Sequence, residues 1–178
     1  MDELVERIIS IIIQREKQTL ILSCQTSTDI NRENHAFLYN KHIYLTDVDV
    51  LFLERFKNKD QNDAFIKWLY QSYNYDCCLE FELAFSNTDL IPNELFNCSV
   101  KLVNTQGKQY CFFSKKIITF QQVAMLTSDY ILLLASNQFV TDLAKERLLE
   151  KKVTVIERSS PYYADGKSNW KRGFNSEK

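Results

Sequence analysis

The chain has 178 residues, a formal net charge of −1 and 25% charged residues, which is enough for one sizeable core and leaves no global attraction to nucleic acid or an anionic membrane. Three Gly and two Pro, against usual values of about 7% and 5%, argue against a Gly-rich phosphate loop, and neither GxGxxG nor GxxxxGK[ST] occurs. Five cysteines, an odd number without CxxC spacing, read as free thiols. They imply an intracellular protein, cytoplasmic or nuclear, with no metal site.

Met1–Gln18 carries Leu4, Val5, Ile8, Ile9, Ile11, Ile12 and Ile13, with acids first and bases later. This suits an opening helix whose charges complement its dipole. Its apolar run is interrupted by Ser10 and is too short to span a membrane, so no membrane partner is expected. Thr19–Cys24, His35–Leu45 and Val48–Phe56 read as strands. Together residues 1–60 predict a helix followed by a small antiparallel layer.

From Asn62 the spacing of Phe65, Ile66, Leu69, Tyr70 and Tyr73 predicts a helix of three to four turns, with Asp60 to Asp63 at its start. Asp76–Phe85, Leu95–Val103 and Gln109–Lys115 then read as three strands, the last two joined by a hairpin turn at Thr105–Lys108. Thr119–Leu126 is a short helix candidate. Asp129–Ser136, Asn137–Lys152 and Val153–Glu157 predict strand, amphipathic helix and strand, a βαβ unit whose two strands must be parallel. Leu143 is read on the buried face of that crossover helix. The fold class is therefore α/β with a mixed sheet, one domain over residues 1–157 with its core at 62–157, followed by a flexible basic and aromatic tail over 158–178.

The order from Asn62 onward is helix, three strands, helix, strand, helix, strand. It resembles the core of the PD-(D/E)XK, or restriction-endonuclease-like, superfamily, and Phe139–Ala144 followed by Val153–Ile156 looks like the closing helix and strand of its Mrr-type members. The resemblance implies a nuclease site with two acids that hold Mg²⁺ and a Lys beside the attacking water. Here Phe96 and Ser114 stand where the acids would be expected, and Lys116 matches the Lys. The resemblance thus implies a catalytically degenerate, nuclease-like binding subunit without a cofactor. An active Mg²⁺-dependent nuclease would need relocated carboxylates among Glu80, Glu82, Asp89 and Glu94, acting with Lys116. Otherwise Glu80 and Glu82, alternating with Leu79, Phe81 and Leu83, are the solvent face of a half-buried strand. A third reading is an α/β protein-interaction module unrelated to nucleases.

Binding chemistry is concentrated in two places. Lys115 and Lys116 form a basic strand end, and the tail places five Lys/Arg against two acids, interleaved with aromatic residues. Tyr162, Tyr163, Trp170, Lys171 and Arg172 suit phosphate and base contacts, and equally suit a docking peptide for a protein partner.

Overall fold

The computed structural model describes residues 2–25 and 34–159. The chain is α/β and divides into two compact units, Met1–Cys111 and Phe112–Lys178, a division that falls inside the 62–157 stretch.

In the first unit, α1 (Asp2–Lys17) leads into β1 (Thr19–Ser23), α2 (Ala36–Tyr39), β2 (His42–Val48), α3 (Val50–Lys57), α4 (Ala64–Gln71), β3 (Cys78–Leu83), β4 (Val100–Val103) and β5 (Gln109–Phe112). The strands lie side by side in that order. β1–β2, β2–β3 and β3–β4 are parallel, and only the β4–β5 hairpin is antiparallel.

The expected antiparallel layer over residues 1–60 is therefore corrected, and the cause is local. Val48–Phe56 is not a strand, because Asp49 caps a helix there: its Oδ1 accepts a hydrogen bond from the Phe52 amide at 2.7 Å, satisfying an otherwise orphaned donor. The run is then helical, with Phe52, Leu53 and Phe56 buried and Leu51 exposed. Likewise the first part of His35–Leu45 is α2, and the strand begins at His42. Helical connections return the chain to the same end of the sheet, which makes successive strands parallel. The predicted helix after Asn62 forms as α4, with Asp63 Oδ1 accepting from the amides of Phe65 and Ile66 at 2.8 and 3.2 Å, and continues as a 3-10 turn over Ser72–Tyr75. The first part of Leu95–Val103 is also a 3-10 turn, Asn93–Asn97. The hairpin turn is held by Asn104, whose Oδ1 accepts from the amides of Gln106 and Lys108 at 3.0 and 2.8 Å. Gly107 there adopts φ 76°, a conformation costly for a residue with a Cβ.

β3 alternates strictly between half-buried and buried residues, and β2 does so from His42 to Thr46. The buried positions, Ile43, Leu45, Leu79, Phe81 and Leu83, belong to a core with Phe52 and Phe56. The Phe81 ring meets these two edge-on at centroid distances of 5.7 and 5.0 Å. Phe37 and Trp68 pack at 4.5 Å. Phe37, Phe52, Phe56, Phe65, Trp68 and Phe81 are all buried.

The second unit has β6 (Ile117–Ile118), α5 (Phe120–Val123), β7 (Tyr130–Ala135), β8 (Phe139–Val140), α6 (Asp142–Glu150) and β9 (Thr154–Arg158). β7 and β9 are parallel and directly paired, from Ile131 with Thr154 to Ala135 with Arg158, as the βαβ pattern requires. β7 is buried along almost its whole length, as a strand covered on both faces should be. The crossover is shorter than expected, because Phe139-Val140 leaves the helix to pair with Ile117-Ile118. One correction follows for α6: Ala144 and Leu148 are its buried residues, whereas Leu143 is 59% exposed.

Candidate functional site

In α1, apolar residues at positions 4, 5, 8, 9, 11, 12 and 13 cover an arc of about 200° at 3.6 residues per turn. Glu3, Glu6, Arg7, Ser10 and Gln14 occupy the remainder. Such a face normally lies against a core. Here every residue from Glu3 to Gln14 is exposed, and the seven aliphatic side chains keep between 49% and 65% of their surface accessible. Only the last turn of the helix is tied down. The Arg15 guanidinium donates to the carbonyl oxygens of Phe37 at 3.1 Å and Tyr75 at 2.5 Å, and the Arg15 carbonyl accepts from the amides of Gln18 and Lys41. Lys41 in turn bridges Glu16 at 3.7 Å and Asp76 at 2.5 Å. The anchored turn therefore presents twelve exposed residues, about 18 Å of helix, with no cover among the described residues. The apolar face was legible as a pattern from sequence, but its exposure was not.

The expected nuclease acids fall on one strand and two 3-10 turns. Glu82 lies on the half-buried face of the first unit's sheet and accepts a hydrogen bond from the Tyr44 hydroxyl at 2.7 Å. Burial, reinforced by that bond, raises the Tyr44 pKa above the ordinary phenol value. Glu80 shares this face, as the half-buried-strand reading expects. Asp89 and Glu94 sit in separate 3-10 turns, Thr88–Leu90 and Asn93–Asn97. Lys115 and Lys116 belong to the second unit. Among the described residues no three His, Cys, Asp or Glu are grouped so as to hold a metal ion. None of the five cysteines is in a disulfide. Burial pushes Cys111 up to about 12 and Cys24 to about 11, which leaves both poor nucleophiles near neutral pH.

Lys115 and Lys116 are exposed and their backbone is fixed. The Gln138 side-chain amide donates to the Lys115 carbonyl at 2.7 Å, and the Phe139 amide donates to the Lys116 carbonyl at 2.8 Å. Phe139 is 60% exposed and its strand neighbour Ile117 is 54% exposed, and the Lys145 ammonium stands over the Phe139 ring at 5.4 Å. The result is a small basic and apolar patch that sequence reading located only through its two lysines. Tyr162, Tyr163, Trp170, Lys171 and Arg172 lie outside the described residues. No helix among the described residues is long and apolar enough to cross a membrane.

Comparison with known proteins gives a family match. The model of the family described as "Putative propanediol utilisation" fits residues 3–154, from the first turn of α1 through the start of β9. No curated protein matches the chain, and neither does any solved structure. Because the family model runs through both units and over most of the chain, this protein belongs to the propanediol-utilisation-like family.

Proposed function

We propose that the protein is an α/β protein-interaction module that serves propanediol utilisation by docking through α1. The observation that carries this reading is the uncovered aliphatic face of that helix. Complete burial of a Val, Leu or Ile side chain stabilises by about 1.5–3 kcal/mol, so seven half-exposed ones hold back on the order of 7 kcal/mol before association costs are met. Large contiguous apolar surface of this kind marks interaction sites. Burial keeps the Cys24 and Cys111 thiols protonated near neutral pH, which suits them to structure and not to nucleophilic chemistry. Five cysteines outside any disulfide support a reducing compartment.

The test uses tagged full-length chain and Ile8→Glu/Ile12→Glu in cells growing on propanediol. The wild-type chain should co-purify with proteins of propanediol utilisation, and the variant should lose them and slow growth. Equal recovery by both, or turnover of propanediol by the purified chain alone, would overturn the reading.

A second reading is favoured by the exposed Phe139, whose ring carries the Lys145 ammonium and whose amide donates to the backbone of the exposed Lys116, next to Lys115. This patch suits single-stranded nucleic acid, with ammonium groups on phosphates and the ring under a base, which is the binding role that the nuclease resemblance implies. Oligonucleotide binding should then weaken steeply with salt and be lost in Phe139→Ala. Binding that ignores both changes would exclude it.

A further inference from the structure

We propose that α1 is a coupled-folding segment: in the free chain only its last turn is held, residues 3–14 exchange between coil and helix, and the helix is completed when its aliphatic face is covered. The consequence for binding rests on the reading of α1 as a docking surface; the exchange in the free chain does not.

The first support is where the fastening stops. Arg15 donates to the carbonyls of Phe37 and Tyr75, its own carbonyl accepts from the amides of Gln18 and Lys41, and the Gln18 carbonyl accepts from the His42 amide at 3.2 Å. Towards the N-terminus every residue from Glu3 to Gln14 is exposed. That stretch has no cover among the described residues, so its own hydrogen bonds hold it, and segments of that kind open at the lowest free energy in a fold.

The second support is sequence order. Residues 8–13 read Ile-Ile-Ser-Ile-Ile-Ile, an unbroken block between the anchored turn and the better helix formers Glu3, Leu4, Glu6 and Arg7. Branched side chains lose rotamer freedom against the preceding turn, and Ser competes for backbone hydrogen bonds. The anchored turn removes the cost of nucleation, so α1 grows from Arg15 towards its N-terminus. Each added residue carries a propagation constant near one for good helix formers and below one for Ile and Ser. Six successive steps of the poorer kind lower the population of helix that reaches Arg7 by about tenfold.

The helix is nevertheless encoded. Asp2, Glu3 and Glu6 lie towards its positive end and Arg15 and Lys17 at its negative end, and its seven aliphatic residues fall on one arc whose burial repays the ordering once a surface covers them. Apparent affinity at α1 then equals the intrinsic affinity multiplied by the helical fraction. Residues that touch no partner can therefore tune binding. Ser10, off the apolar arc, is such a position.

The experiment is amide hydrogen exchange on the free full-length chain in dilute solution. The amides of Glu6–Gln14 should exchange within about tenfold of the unstructured rate, whereas those of Gln18, Lys41 and the strands β2 and β3 should be slowed far more. Protection of Glu6–Gln14 equal to that of Gln18 and Lys41 overturns the inference. For the effect on binding, the proteins recovered with the wild-type chain serve as the probe against purified Ser10→Ala and Ser10→Gly. The Gly variant should bind about fivefold more weakly than the Ala variant, the ratio of their helix propensities, with the melting transition of the body unchanged in both. Equal affinities overturn ordering on binding. Should Glu6–Gln14 be protected while Ile8→Glu/Ile12→Glu still loses its co-purifying proteins, this inference falls and the docking reading stands. Fast exchange in a chain whose Ile8→Glu/Ile12→Glu variant keeps those proteins has the reverse meaning: the docking reading falls and the exchange between coil and helix stands.

Discussion

Leu148→Ala and Leu143→Asp separate the two faces of α6. Leu148 is 4% exposed and lies one turn beyond Ala144, which is fully buried. Truncation to Ala removes three carbon atoms at about 0.8 kcal/mol each, about 2.4 kcal/mol of transfer free energy. The cavity left behind brings the cost into the 2–5 kcal/mol range usual for such changes. For a chain of this length that corresponds to a fall in Tm of about 6–12 °C for a loss near 3 kcal/mol. Leu143 is 59% exposed in the first turn of the same helix. An Asp there meets solvent and the favourable end of the helix dipole, so Leu143→Asp should change stability by no more than about 0.5 kcal/mol. Urea unfolding followed by far-UV circular dichroism measures both, with the m-value as a check that the same surface is exposed. If Leu143→Asp destabilises as much as Leu148→Ala, the helix is rotated from the orientation described, and the assignment of its buried face fails.

Two further predictions concern the first unit. Asp49→Ala should cost about 1 kcal/mol by removing the cap of α3, and Asp49→Asn should recover most of it; equal losses in the two variants would show that the cap bond to Phe52 is not the cause. Tyr44 has its pKa raised in the folded chain, first by burial and then by its bond to Glu82. Its contribution is therefore fully present below about pH 10, the unfolded phenol value, and is lost as pH rises further. Melting scans should show stability falling above about pH 10, more shallowly in Tyr44→Phe than in wild type, and identical alkaline slopes would refute the linkage.

The βαβ unit was legible because its signal is non-local in effect but local in sequence. Tyr130–Ala135 is an unbroken apolar run with burial along nearly its whole length, and a helix between two such runs leaves parallel pairing as the available geometry. Residues 36–56 were less legible. Ala36–Tyr39 and Val50–Lys57 are apolar enough to pass for strands, and no periodicity distinguishes a short buried helix from a short buried strand. One carboxylate, Asp49, decides the matter by capping α3 directly after β2 ends at Val48, and Asp47 at φ 58° breaks the alternation of β2 just before its end. Because parallel order follows from what connects the strands, misreading α3 was enough to reverse the direction inferred for the whole N-terminal layer. The second unit holds a similar trap: Phe139 and Val140 continue the apolar spacing of α6 but pair with Ile117 and Ile118, and that pairing makes Phe139 the centre of the basic patch.

The aliphatic face of α1 was plainly written, yet its meaning was not, for a different reason. A helix facing its own core and one facing a partner have the same pattern, since burial is a property of everything else in the chain. By contrast the aromatic residues Phe37, Phe52, Phe56, Phe65, Trp68 and Phe81 are all buried. What remains exposed on α1 is five Ile, one Val and one Leu, mostly β-branched residues that lose side-chain freedom in a helix. A 16-residue helix of that composition is marginal in water without tertiary cover. Its cover and its fold are consequently linked. Whatever binds the face also stabilises the helix, so the affinity measured at α1 includes the free energy of ordering it. Only the Arg15 turn, fixed to Phe37 and Tyr75, escapes this linkage, because its hydrogen bonds to the body hold it without cover on the aliphatic face.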